Sequence, residues 1–325
     1  MQFETDTAEL LSGVRRGVSL GSPITIAIKN KDASIDRLPV VTQPRPGHAD
    51  LTGAIKYGHR DIRNVLERAS ARETAARVAM GALCKQLLSP LGIELASHVV
   101  ALGSVRAASS TPTVAGVRTR ADTTPLRCLD AKATKQMIKE IDACVKAGDT
   151  LGGIFEVLAE GAPPGLGSHV HYDRRLDAIL GRAILSIHAV KAVEIGDGVA
   201  AASLRGSKVQ DEIFYKKGRG FYRSQNRSGG FEGGMTTGEP VVVRGFLKPL
   251  STLRKPLRSV EINTKRAVVA TVERSDVTTV PAAGVVGEAM IAFELARAML
   301  DKFGGDSLQE VRRNLSGYRR HVEGF

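Results

Sequence analysis

The sequence has no tryptophan, and its 9 Phe and 5 Tyr bring aromatics to only 4% of 325 residues. That is a poor supply of stacking platforms for single-stranded nucleic acid. Cysteine is scarce as well. Cys84, Cys128 and Cys144 are far apart, odd in number and in no C-x-x-C pair. This argues against a disulfide scaffold or a zinc site and fits a reducing cytoplasm. No stretch approaches the roughly 18–20 apolar residues of a membrane span. The start, MQFETDTAELL, is acidic and lacks the basic n-region of a secretory signal. There is no repeat of solenoid length, no low-complexity tract and no Pro-, Gly- or Ser-rich linker.

What remains is ordinary globular material, 42% hydrophobic and 25% charged. The length can bury one large core or two ordinary ones. Basic residues exceed acidic ones by 46 to 34, and 30 of the 46 are Arg. Arginine presents a planar fork of donors suited to carboxylate and phosphate. Genomic base composition explains this excess as well as an anionic ligand does.

Alternating Ile24, Ile26 and Ile28 predict a half-buried strand over residues 22–30. A Pro-rich loop, PVVTQPRPGHAD, follows. Residues 59–88 read as one long helix, capped by Asp61 and ended by Pro90 and Gly92. Residues 95–120 read as strand and loop, 130–147 as a helix, and TLGGIFEVLAEG as a strand. A third helix is expected over 172–187, short β-branched runs over 191–280, and helix again over 281–320. Helices and strands interleave without a βαβ beat, so the expected class is a single α+β domain of several layers, 1–325.

Gly196-Asp197-Gly198-Val199-Ala200-Ala201 fits the G-x-G-x-x-A dinucleotide pattern. No convincing helix opens after it and no acidic residue lies about twenty positions on, so a turn is the expectation. Residues 223–239 hold five glycines between Gly229 and Gly238. Hairpin turns explain them; so does a backbone nest for a flavin or phosphate. Pro44-Arg45-Pro46-Gly47-His48-Ala49-Asp50 places Arg and His on a loop stiffened by two prolines, a good place for a general acid. His169 and His171 have no evident third ligand, so no metal is assigned. Arg68 and Arg72 are spaced to share a helix face, either solvated with Glu67 and Glu73 as partners or gripping an anion. Ser70 between them has no nearby base and suits a hydrogen-bond donor better than a nucleophile. Asp276 is a strand-end acid or a cap.

Taken together, RPGHADLTGAIKYGHRDIRNVLERASARETAARVAMGAL (45–83), with its RPGHAD and E-x-x-S-A-R-x-T elements, and RSDVTTVPAAGVVGEAM (274–290) resemble chorismate synthase. VKAVEIGDG, NRSGGFEGGMTTGEP, LKPLSTL and KFGGDSLQEVRRN are also family-like and in family order. The resemblance runs from about Leu11 to the C-terminus. Family members carry, ahead of this point, a GESHG element and an Arg-rich stretch that supply a second histidine and substrate-phosphate arginines. Two expectations follow: an active synthase, or an N-terminally shortened remnant that binds FMN without turnover.

The resemblance implies a lyase that converts 5-enolpyruvylshikimate 3-phosphate to chorismate and phosphate by 1,4-anti elimination. It implies reduced FMN as cofactor, with NADPH serving only to reduce the flavin. It implies a β-α-β sandwich, with helices between antiparallel or mixed sheets, a cytoplasmic homotetramer, and no nucleic-acid or membrane partner. On this basis His48, Asp276 and Ser70 are catalytic, and Arg45, Ser70 and Arg72 hold the substrate's anionic groups. The flavin contacts fall on Arg68, Ala69, Ser70, His188, Ala189, Gly233, Lys248, Pro249, Leu250, Ser251, Thr252 and Arg274.

Overall fold

The computed structural model describes residues 6–30, 37–108 and 112–325. The first five residues of the acidic start and positions 109–111 of the expected strand-and-loop stretch lie outside them.

Along the chain, β1 (Ala8–Ser12), β2 (Val14–Arg15), β3 (Val18–Ser19) and β4 (Thr25–Ile28) come first. β1 pairs antiparallel with β4, so the expected strand at 22–30 exists but is shorter. The helix expected over 59–88 is two. After α1 (Asp50–Tyr57), α2 (Arg63–Arg68) stops, a 3-10 turn spans Ala71–Glu73, and α3 (Thr74–Leu88) resumes. The break is at Ser70, whose backbone is extended (φ −65°, ψ 138°) and whose Oγ accepts from the Arg72 amide. Serine offers the backbone a local alternative to the helix ladder, and here that alternative wins. Asp61 lies one residue before the N-cap, Ile62, and its Oδ1 accepts from the amides of Arg63 and Val41. Gly92 ends the segment in the left-handed region.

β5 (Glu94–Leu102) and β6 (Val105–Arg106) follow, then α4 (Val114–Ala121), which falls where only strand and loop were expected. α5 (Ala131–Ala147), β7 (Gly153–Glu160), α6 (Leu176–Leu185) and β8 (Val190–Ile195) agree with the pattern. Two short helices, α7 (Gly198–Ala201) and α8 (Gly206–Val209), precede β9 (Ile213–Lys216), β10 (Gly220–Arg223), β11 (Phe231–Glu232), β12 (Met235–Thr236), β13 (Val241–Leu247), β14 (Arg258–Val260) and β15 (Ala267–Val269). α9 (Val280–Phe303) and α10 (Leu308–Gly324) close the chain, and a Ser307–Glu310 capping box starts α10.

The architecture is α+β with antiparallel sheets and packed helices, as expected. By its contacts the chain divides into two compact units. One comprises the described residues of 1–76, 135–152 and 248–279; the other comprises those of 77–134, 153–247 and 280–325. In the first, α1 and α2 close over a small core of Val41, Ala54, Ile62, Val65 and Ile262.

In the second, β6-β5-β7-β13-β8 form a five-stranded antiparallel sheet. One face packs on α9, where Gly245, Gly284 and Gly287 leave room for the wholly buried Phe155. The opposite face meets α4 through Ala96, Val117, Ala121 and Leu158. Beside that contact runs a row of paired charges. His98 Nε2 lies 2.9 Å from Glu156, and Arg244 donates to Glu156 (2.6 Å) and Glu194 (2.9 Å). Burial works against the charge on Glu156, yet His98 and Arg244 hold its carboxyl below the usual range.

A Cβ at position 245 would sit 2.3 Å from the Phe155 ring, and one at position 206 would meet nothing within 4 Å. We expect Gly245→Ala to lower unfolding free energy by about 1–3 kcal/mol through overpacking, and Gly206→Ala to stay within about 0.5 kcal/mol of wild type. Urea midpoints check this; equal midpoints for the two variants would contradict the packing.

Candidate functional site

The loop before α1 carries the densest set of expected site residues, and its position follows from backbone bonds within the first unit. The Ile62 amide donates to Val41 O (2.8 Å), Ile262 to Thr42 O (3.0 Å) and Thr271 to Gln43 O (3.2 Å). Ser259 Oγ donates to Pro44 O at 2.5 Å. The loop thus lies along the β14–β15 segment, and two prolines narrow its remaining freedom. Gly47 turns the chain at φ +76°, a conformation that favours glycine. Its carbonyl accepts from Ser251 Oγ (2.8 Å), whose oxygen accepts in turn from Lys248 Nζ (2.7 Å).

Asp50 is the first residue of α1 and is fully buried. Arg45 donates to it from its backbone amide (3.0 Å), Nε (2.9 Å) and Nη2 (3.1 Å). His48 Nδ1 makes a short contact with Asp50 Oδ1. Arg45 Nη1 donates to Thr252 Oγ1 at 2.7 Å, and Nη2 lies 3.1 and 3.3 Å from the two ring nitrogens of His48. Burial alone would push the Asp50 carboxyl up; the bonds from His48 and Arg45 outweigh it and hold the group far below its ordinary 3.8. The His48 side chain is 22% exposed, whereas those of Arg45 and Asp50 are 5% and 0% exposed. The ring is therefore partly reachable, and the groups behind it are not.

Asp276 lies on the same unit. It is exposed, in an irregular segment before α9, and is therefore neither a strand-end residue nor the cap of that helix. Asp276 lines a cleft together with Thr150, Thr252, Arg254 and Val277. The cleft is held by Leu151 N donating to Val277 O (2.8 Å) and Thr150 Oγ1 donating to Leu250 O (2.7 Å). Thr252 is thus shared: it lines the cleft and accepts from Arg45.

Other expected residues are placed differently. Arg68 ends α2 and is exposed, Ala69 caps that helix, and Arg72 lies beyond the break, so the two arginines do not share a helix face. Arg72 pairs bidentately with Asp6 (2.8 and 2.7 Å) and donates to Lys29 O (3.2 Å). Pro249 and Arg274 are exposed, and Leu250 and Ser251 half-buried. His188, Ala189 and Gly233 belong to the second unit. His188 and Ala189 form the turn from α6 to β8, with Ala189 at φ +65°, and Gly233 opens the β11–β12 hairpin at φ +58°.

The glycines of 229–238 are all at positive φ. A Cβ at Gly229 or Gly230 would strike backbone within 2.6 Å, and at Gly234 the side chain of Arg175. The chain's own packing explains these three. Gly233 differs, since a Cβ there would meet nothing closer than 3.6 Å. Gly196, in the dinucleotide-like stretch, packs against Gly229, and the helix after it has four residues. Its strand is antiparallel to β13, so this is the expected turn and no Rossmann crossover. Among the described residues no group of three or more His, Cys, Asp or Glu could hold a metal ion, and no helix is long and apolar enough to cross a membrane.

The chorismate synthase family model matches residues 1–300. The chain belongs to the chorismate synthase family. It is 52% identical to chorismate synthase 2 of Bacillus cereus, over all of this chain and 88% of that protein. Identity to chorismate synthase of Symbiobacterium thermophilum is also 52%, over 99% of this chain and 87% of that one. A crystal structure of a chorismate synthase superposes with TM-score 0.82 at 42% identity, covering 98% of this chain and 86% of the other.

Asp50 was given no role from sequence. The available signal was its place two residues after His48, at the start of a helix, where a carboxylate is favoured. The groups of the first unit suit a flavin nucleotide. Thr252 and Arg254 line a small cleft, Lys248 and Arg274 add cations, and His48 is partly exposed.

The depressed Asp50 carboxyl stabilises the fold above its ordinary titration range. As pH falls below about 4 the unfolded chain takes up a proton while the native carboxylate resists, so that stabilisation is lost. We expect wild type to lose more stability between pH 5 and pH 3 than Asp50→Asn does, measured as urea midpoints. Equal losses would mean Asp50 is not strongly paired.

Proposed function

We propose that this chain is a chorismate synthase that eliminates phosphate from 5-enolpyruvylshikimate 3-phosphate using reduced FMN. Membership of the family over the whole chain carries the reading, and the Arg45–Asp50–His48 cluster beside a small cleft supports it. The hydrogen lost is not appreciably acidic, so an ordinary side-chain base is inadequate. When bound, reduced FMN supplies transient electron density and takes up that hydrogen, with no net redox change.

The chain's own residues bind, orient and move protons. His48, whose side chain is 22% exposed, exchanges a proton with the cofactor. Asp276, on the cleft wall, is the second proton-handling group. Ser70 donates a hydrogen bond, and Arg72 grips an anionic group of the substrate once it exchanges Asp6 for it. Thr252, Lys248, the loop from Pro249 to Ser251, Arg274, Arg68 and Ala69 hold the cofactor; the family resemblance assigns His188, Ala189 and Gly233 to cofactor binding as well. The 325 residues act as one catalytic domain in a cytoplasmic homotetramer, and NADPH serves only upstream, to reduce the flavin.

The test is anaerobic phosphate release from the substrate with chemically reduced FMN. We expect turnover, and a 10²–10⁴-fold loss in His48→Ala and in Asp276→Ala. Near-normal rates in either variant would remove that residue's role. No turnover in wild type despite FMN binding would favour the non-catalytic remnant. Arg72→Ala should chiefly raise KM; an unchanged KM would take Arg72 off the substrate.

A further inference from the structure

Arg45 was expected on the substrate, yet its side chain is 5% exposed and its donors face inward. Nε and Nη2 go to Asp50, Nη1 goes to Thr252, and Nη2 also abuts the His48 ring. A guanidinium so engaged does not reach a ligand in solution. Its partner Asp50 is fully buried and touches His48 at Nδ1.

Hydrogen-bond roles then decide the state of the ring. An ionised carboxylate only accepts, so the ring nitrogen against Asp50 Oδ1 is the one that carries a proton. A guanidinium only donates, and its charge lies 3.1 and 3.3 Å from both ring nitrogens through Nη2. Nε2, 3.3 Å from Nη2, therefore accepts and holds a lone pair. Both constraints are met by one form alone, the neutral imidazole with hydrogen on Nδ1 and a lone pair on Nε2.

We propose that Asp50, anchored by Arg45, is a positioning residue that fixes His48 in the Nδ1–H tautomer and so designates Nε2 as the nitrogen that works. The consequence for turnover rests on the function proposed above; the tautomer itself does not. Asp50 touches neither substrate nor cofactor in this scheme. It acts through the ring, as the orienting third group of a nucleophile–base pair does.

Asparagine at position 50 would reverse the assignment. The Oδ2 site accepts two Arg45 donors, the backbone amide and Nε. The Oδ1 site accepts one, Nη2, so the amide oxygen takes the Oδ2 site at the expense of that single bond, which turns the NH2 group toward His48. Nδ1 would then have to accept, and the proton would move to Nε2.

The experiment is long-range ¹H–¹⁵N NMR of the ring nitrogens in ¹⁵N-histidine-labelled protein, full chain and ligand-free, from pH 6 to 9. The sequence has 7 His, so the His48 signals are assigned by their loss in His48→Gln. We expect wild type to show a protonated Nδ1 and a pyridine-like Nε2, and Asp50→Asn to show the reverse. A wild-type ring with hydrogen on Nε2, or one protonated on both nitrogens to pH 9, would overturn the proposal. So would an unchanged tautomer in folded Asp50→Asn. The wild-type spectrum decides by itself should that variant not fold. In turnover, Asp50→Asn should lose at least about 10²-fold in kcat with little change in KM. A reversed tautomer with full kcat would leave the positioning intact and contradict the role of His48 in the reaction.

Discussion

A buried carboxylate dictates how the first unit is arranged. An unpaired aspartate with no exposure would cost several kcal/mol, or would simply take up a proton. Asp50 stays ionised because Arg45 meets it with three donors and His48 with a fourth contact. That need fixes the loop between them. Gly47 must turn, the prolines must hold the path, and Thr252 must come close enough to take the remaining Arg45 donor. The His48 ring stays partly exposed while its Nδ1 is committed to Asp50. The arrangement of the site and the stability of this unit are therefore one problem with one solution.

The second unit solves a similar problem on its sheet. His98, Glu156, Arg244 and Glu194 sit at one register across β5, β7, β13 and β8, so each carboxylate meets a donor where an unpaired one would be penalised. The opposite face has the inverse character. Glycines at 245, 284 and 287 receive one large ring, Phe155, and let α9 approach the strands closely. Polar specificity on one face and close packing on the other define a single register for the five strands.

Much of this was legible in the sequence, residue by residue. The class, the long elements and the turn at Gly196 follow from periodicity and from glycine. The RPGHAD loop stood out because an Arg between two prolines, with a His two residues after the second, is held in place. The misses have physical causes. The helix over 59–88 has continuous periodicity, but Ser70 competes for the backbone and splits it. α4 is short and contains Gly116, Val114 and Thr119, poor helix formers. It exists because Thr113 caps it and because Val117 and Ala121, one turn apart, are buried on the sheet. The glycines of 229–238 suggested a cofactor nest, yet three of them are required by the chain's own backbone or side chains. Asp50 could not be singled out because its importance lies in burial, which a local pattern does not report. The same holds for Arg45: its residue type suggested an anionic ligand, and the fold supplies that anion from five residues along the chain.

The central claim is that Arg45 and Asp50 act as a single unit. A double-mutant cycle on unfolding free energy, with Arg45→Met, Asp50→Asn and the pair, tests it without needing substrate or cofactor. Each single change strands a buried partner and should cost about 3–5 kcal/mol. The double variant strands neither, and its loss should fall short of the sum by more than about 1 kcal/mol. Additive losses would contradict the account, because they would mean that the two residues do not depend on each other and that the loop is held by something else.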